Sequence, residues 1–458
     1  MSSPSVFETL SPNRLFLRCA LPNMISMAAS SLYTIADGIF VGRFLGEEAL
    51  AAVNLVMPFL FIGFVFSDMV AVGSSVQIAI HLGERREREA SVIFTRCSLL
   101  IEAIALAVGV LGFFFARPLL ELMGADPSVT QLACQYLQVF ALFTPAVMIY
   151  FAVDNYLRIC GLTRYSMVLN VTASLLNIGL DYLFLAVLRW GIASAALASC
   201  LSLALGSLMG LLPLIGGKLP LCFVKGRLRR GLLKNILYNG SSEFFTNISG
   251  SLLMIIVNSL LLHLEGSRAV AAFSIVMYVD SVTASLLYGL ADSMQPAISY
   301  CYGARLSRRM LAFEKRVLLA GALISAAAFL AMRLGGRALL PLFVGDGDPA
   351  LIEMSLQAMT LFSFSYLTGW AGVGLSSFFT SVDRPALSLG LSLGRSLLFP
   401  LLILACLVPV LGLDGVWLTS SFSSLLTALA CLFFLRRFLP FHTGGTIPGL
   451  KIKKAPAL

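Results

Sequence analysis

The chain has 458 residues, of which 58% are hydrophobic and only 12% charged, against about 45–50% and 25% in soluble domains. That balance excludes an ordinary soluble enzyme or binding module and points to a polytopic membrane protein. The net charge of +9 does not indicate a nucleic-acid partner, because the basic residues collect in the gaps on one side of successive apolar runs.

Twelve runs are long enough to cross roughly 30 Å of hydrocarbon: 15–41, 50–81, 94–116, 131–157, 165–188, 192–216, 233–263, 270–300, 312–334, 352–376, 386–411 and 413–435. The first is too long for a signal-peptide core and lacks an A-x-A-like cleavage site, so it reads as a retained helix. It carries Pro22, which removes a backbone donor and should bend the helix, and then Asp37 in "SLYTIADGIFVGRFLG". Fifteen residues separate the two, roughly 22 Å of helix. Asp37 is either an interfacial anchor or a titratable group on a segment able to swing. In the fifth run, "LLNIGLDYLFL", Asn177 and Asp181 are four apart and share one face. An amide and a carboxylate on one stripe can bind a proton or a small cation, where a packing stripe would be apolar.

A carboxylate at the centre of a span costs about 2.5–3.5 kcal/mol on insertion scales, so the others also need a reason: Asp68, Glu102, Glu243, Asp280 and Asp292. Asp68 and Glu102 read as structural or cleft-lining. His81 and His263 sit near opposite span boundaries and read as interfacial. The nine cysteines are scattered, with no C-x-x-C pair and no zinc spacing, and read as packing residues.

Two segments repeat at a displacement of 220 residues: "ALAAVNLVM" at 49 as "AVAAFSIVM" at 269, and "HLGERRER" at 81 as "CYGARLSR" at 301. "WGIASAAL" at 190 is echoed by "LGLDGVWL" at 411. The expected fold is therefore all-α, with twelve transmembrane helices in two six-helix lobes related by a pseudo-two-fold along the membrane normal. The N-lobe covers 1–216, a cytoplasmic linker 217–233, the C-lobe 234–437 and a tail 438–458. The linker's basic cluster could meet anionic headgroups or simply set topology. With the N-terminus inside, 25 of the 32 Lys and Arg, Arg158 among them, fall on the cytoplasmic side and six on the other, with Arg395 in a span. The positive-inside rule then puts both termini in the cytoplasm. No Walker-type G-x-x-x-x-G-K-[ST], H-E-x-x-H or S-x-x-K is present, so neither a primary pump nor an intramembrane enzyme is expected. Two repeated lobes around a cleft describe a secondary transporter.

"LPNM" with "ADGIFVGRFLG" and "ALAAV", "NIGLDYLF", "QPAISYCYGAR" and "GLDGVWL" resemble conserved segments of the multidrug and toxic compound extrusion (MATE) antiporters over nearly the whole chain. The resemblance implies a cation-coupling site at Asp37, Asn177 and Asp181, a place for H+ or Na+ and for no other cofactor. It implies a bend at Pro22 on protonation. By spacing, Tyr136, Ser199 and either Asp154 or Asn155 complete the polar cluster the resemblance implies. Glu243 looks like the family's seventh-helix glutamate, but "LFSFSYLTGWAGVG" in the tenth run has no acid to complete a C-lobe sodium site. Asp280 and Asp292 with Arg395 are instead expected to form a C-lobe ion pair, functional or purely structural. The expected activity is export of amphipathic, cationic organic compounds from the plasma membrane by a monomer that exchanges them for H+ or Na+. The alternatives are a lipid-linked precursor flippase, which would want a basic cavity for diphosphates, and a passive channel.

Overall fold

The computed structural model describes residues 6–122, 127–217, 219–340 and 349–438. Lys218, and the expected tail beyond Phe438, lie outside the described residues. The described residues are almost wholly helical, because hydrocarbon offers no partner to a backbone amide and a helix satisfies its own. After a short helix, Val6–Thr9, the spans run Pro12–Leu45, Glu47–Gly83, Glu87–Leu122, Pro127–Ile159, Thr163–Val187, Ile192–Ile215, Arg230–Glu265, Ser267–Gly303 and Ser307–Leu339. The eleventh is Pro385–Leu411 and the twelfth Leu413–Phe438.

Eleven helices are long and apolar enough to cross a membrane among the described residues. The tenth crossing, expected as one run over 352–376, is two helices, Pro349–Ser363 and Tyr366–Ser381. At the joint the ladder tightens to i→i+3 spacing, with Ser365 donating to Phe362 and Leu367 to Phe364. The Ser363 hydroxyl also bonds back to Thr360, the local competition that makes serine a poor helix-interior residue. The Leu361 carbonyl thereby loses its usual donor, and the Ser421 hydroxyl of the twelfth span takes it at 2.7 Å.

Two helix prolines create the same problem and meet the same answer. Pro22 cannot donate to the Arg18 carbonyl one turn back, and the Thr163 hydroxyl of the fifth span donates to it at 3.0 Å. Pro213 frees the Met209 carbonyl, which Tyr165 takes at 2.8 Å. The first span runs unbroken through Pro22. Wider π turns follow in two spans that occupy corresponding places in the lobes: Tyr182–Val187 in the fifth and Gly394–Leu398 in the eleventh. Such turns often mark functional positions, and here they adjoin Asp181 and contain Arg395.

The 220-residue displacement reappears as geometry. The turns after the second and eighth spans place Arg85 and Arg305 in the left-handed region (φ 64° and 60°). Their closing bonds, Arg86 to His81 and Leu306 to Cys301, are both 2.8 Å. Between the lobes, the second and eighth spans cross where a Cβ on Gly83 would lie 2.2 Å from the Tyr300 carbonyl oxygen. One on Gly303 would lie 2.1 Å from that of Ile80. Each glycine is thus required by the backbone opposite it. Gly73 and Gly240 do the same between the second and seventh spans.

The N-terminal segment seals this end. Glu8 pairs with Arg85 at 2.7 Å and accepts from Tyr300 at 3.1 Å, while Arg309 donates to the Phe7 carbonyl at 2.7 Å. Residues 219–229, within the expected linker, run extended along the third span. There Val224 donates to Thr95 at 3.1 Å, and Arg96 donates to the Gly226 carbonyl at 2.6 Å.

Thr163→Val and Tyr165→Phe each remove the hydroxyl that serves as substitute donor for a proline-freed carbonyl. Each should lower the stability of the detergent-solubilised protein by about 1–3 kcal/mol, read by thermal or denaturant unfolding. Thr163→Ser should retain most of it.

Candidate functional site

The first, fourth, fifth and sixth spans bring Asp37, Tyr136, Asn177, Asp181 and Ser199 together. Asp181 is 0% exposed, Asn177 1%, Tyr136 1%, Ser199 6% and Asp37 8%. The Asp37 and Asp181 carboxyls lie within hydrogen-bonding reach of each other, and Tyr136 lies beside both. Asn177 donates to the Ser199 hydroxyl at 3.0 Å, which turns its carbonyl oxygen the other way. Four buried oxygens then have no donor: Asp37 Oδ1, Asn177 Oδ1 and both oxygens of Asp181. Carboxyl oxygens only accept when ionised, and leaving buried acceptors unpaired is costly. A proton between the carboxyls, or a small hard cation among the oxygens, completes the cluster. No group of three His, Cys, Asp or Glu that could hold a metal occurs among the described residues. A cation here would rest on two carboxylates and an amide.

Asp154 and Asn155 do not join this cluster. Asp154 accepts from Ser166 at 2.5 Å and Asn170 at 2.9 Å, and pairs with Arg158 at 3.0 Å. It is a satisfied carboxylate. Asn155 accepts from Arg158. Arg158, counted from the sequence as a cytoplasmic charge, is instead 8% exposed inside the bundle. Its spacing of four from Asp154 was the available signal. Arg158 also donates to Asn23 at 3.0 Å, and Asn23 donates across the lobe boundary to the Gly289 carbonyl at 2.6 Å. Asn23, next to Pro22, therefore ties the first span to both the fourth and the eighth.

A cavity of about 720 Å³ lies between the lobes, and Asn177 opens onto it. Its ionisable carboxylates are Asp68, Asp154, Glu243 and Asp292, against one guanidinium, Arg158. Tyr33, Tyr150, Phe151 and Tyr288 supply aromatic faces, and Met27 a flexible apolar one. Asp68 is thus cleft-lining, as one of its two readings had it. Glu102 is half-buried on the third span and lines neither this cavity nor the C-lobe one. His81 is buried rather than interfacial, its Nδ1 2.7 Å from the Gln77 carbonyl; His263 is exposed.

The expected C-lobe ion pair is not formed. Among the described residues Arg395 has no carboxylate within 4.0 Å, and it donates instead to the Tyr288 hydroxyl at 3.0 Å. Twelve residues of helix separate Asp280 from Asp292, about 18 Å, so the two serve different spaces. Asp292 turns into the inter-lobe cavity, near Gln295 at 3.4 Å. Asp280 lines a separate C-lobe cavity of about 270 Å³, beside Tyr366.

The MatE family model matches residues 22–183 and 244–404, one match in each lobe. A FAD transporter of Shewanella oneidensis is 25% identical over 435 residues, covering 93% of this chain and 94% of that protein. The multidrug export protein MepA of Staphylococcus haemolyticus is 24% identical over 442 residues, covering 95% and 94%. Among solved structures, a multidrug resistance MATE family transporter in an outward-facing conformation superposes with a TM-score of 0.87 at 24% identity. A MATE protein crystallised with MaL6 gives 0.89, also at 24%. Each of these two covers 95% of this chain, which covers 98% of each of them.

Removing the guanidinium alone strands Asp154 and Asn23. Arg158→Met should therefore destabilise by about 3–5 kcal/mol, and Arg158→Met with Asp154→Asn by clearly less. Equilibrium unfolding of the two variants decides this, since an additive double variant would mean that the pair is not coupled.

Proposed function

The chain belongs to the MATE family of membrane transporters and is not an enzyme, and from that premise we propose that it is an antiporter. It would export amphipathic organic cations in exchange for H+ or Na+ by alternating access of the lobes 1–216 and 234–437. The observation that carries this reading is the cluster of four donorless oxygens at Asp37, Asn177 and Asp181, joined through Asn177 to the inter-lobe cavity.

The physical sequence is short. With the cluster empty, its carboxylates add to the negative field of the cavity and favour a cationic substrate. A proton or sodium ion entering the cluster satisfies the oxygens and cancels that attraction. The substrate then leaves, and the first span is free to move at Pro22. One charge crossing about 100 mV contributes roughly 2.3 kcal/mol to the cycle. Closure of the basic end by Gly83, Gly303 and the Glu8 latch supports an arrangement that faces away from the termini. The charge asymmetry supports placing that end in the cytoplasm and the protein in the plasma membrane. Aromatic and methionine faces in a roomy cavity support loose selectivity, and the MepA relative is named for multidrug export.

The FAD transporter relative raises the opposite substrate charge. A dinucleotide diphosphate, or the lipid-linked diphosphate of a flippase, calls for paired arginines or free backbone donors. Arg158 is the single basic residue of the cavity, and Asp154, Asn155 and Asn23 already hold it.

Proteoliposomes loaded with a fluorescent organic cation, given pH and sodium gradients separately, test the proposal. Asp37→Asn should abolish gradient-driven efflux while the folded protein still binds the cation. Undiminished coupled efflux in that variant would remove the mechanism. Flux without either gradient would favour a channel.

A further inference from the structure

The 270 Å³ cavity of the C-lobe lies apart from the coupling cluster, and its wall has unused bonding capacity. Three polar atoms of its lining residues are buried without a hydrogen-bond partner among the described residues: Ser325 Oγ, Arg395 Nε and Ser423 Oγ. Ser325 and Ser423 are 1% and 4% exposed, so a ligand in the cavity is a ready partner for them. All three atoms are able to donate.

The charges at this cavity are unequally served. Asp280 has hydroxyl neighbours of its own, since Tyr366 stands beside it and Tyr366 in turn meets Thr283. Arg395 has only the Tyr288 hydroxyl, at 3.0 Å, and the face of the same ring, 5.5 Å from its guanidinium carbon. Glu243 attracts it from the inter-lobe side, but not within ion-pair distance. A guanidinium inside a membrane lobe without a paired carboxylate is the expensive arrangement. Its stem lies against the tenth span at Gly372, where an added Cβ would stand 3.4 Å from its Cδ.

We propose that this cavity is a binding site for a small monovalent anion, of halide or formate size, held against Arg395 with hydroxyl donors such as Ser423 and Ser325 completing its shell. The volume is ample for such an ion with several waters, since each water occupies about 30 Å³. The site goes beyond the antiport reading and would stand if that reading failed, because it does not involve the coupling cluster and meets the inter-lobe cavity at a shared wall, Ala284 and Tyr288, rather than through its carboxylates.

The test uses the purified full-length protein in lipid nanodiscs. Its unfolding temperature is followed as chloride, nitrate or formate replaces gluconate at constant ionic strength, with glycine as a zwitterionic probe. Saturable stabilisation by the small anions is expected. Ser423→Ala should weaken the apparent affinity by up to about tenfold, the scale of one hydrogen bond to a charged group. Arg395→Met should abolish the dependence; should that variant not fold, Ser423→Ala and Ser325→Ala with Arg395 intact decide the matter. A wild-type protein indifferent to the anions, or serine variants with unchanged affinity, would overturn the proposal. So would saturable binding of glycine alone, which would mean a bipolar ligand spanning Arg395 and Asp280.

Discussion

A backbone carbonyl that loses its donor inside hydrocarbon has no water to turn to, and much of this structure is organised by that fact. At three interruptions of a helix, a hydroxyl from a neighbouring span fills the gap: Thr163 for Pro22, Tyr165 for Pro213, Ser421 for the break at Phe364 and Ser365. The interruptions are therefore also tertiary contacts. They bind the first span to the fifth, the fifth to the sixth and the tenth to the twelfth, so that irregular helices hold the lobes together.

The same accounting identifies where the protein leaves capacity unfilled. The unpartnered buried side-chain atoms include two groups that matter: acceptors at Asp37, Asn177 and Asp181, and donors around Arg395. One cluster lacks positive charge or protons and the other lacks negative charge. They lie in opposite lobes, and each adjoins or contains a π turn. Between them, the acidic inter-lobe cavity is crossed by the Asp154–Arg158–Asn23–Gly289 chain of bonds, which keeps its one guanidinium occupied.

Much of this was legible in the sequence, for definite reasons. Twelve apolar runs and a 220-residue repeat announce crossings and lobes because hydrocarbon thickness and duplication leave coarse marks. Asn177 and Asp181 share a face by spacing alone, and the structure does bring Asp37 to them. What was illegible depends on which neighbour a side chain meets. Arg158 lies near a span end and reads as a loop charge until Asp154, Asn155 and Asn23 are seen around it. Asp292 and Arg395 look like partners when only their depth is known, and helix rotation sends them into different cavities. The tenth span reads as one helix because its break comes from serine hydroxyls competing with the backbone, and no proline or glycine stands at the joint to mark it.

The glycine crossing at the basic end bears on how the lobes could part. The carbonyls that Gly83 and Gly303 approach, those of Tyr300 and Ile80, are already bonded within their own chains, to Ala304 and Glu84, each at 2.9 Å. Separating the glycine faces exposes no unmet polar group, and apart from the Glu8 latch to Arg85 and Tyr300 it forfeits close van der Waals contact, many small increments that are lost and regained in step. Such a seam resembles two polished faces wrung together: firm when seated, intolerant of any burr, and cheap to reopen.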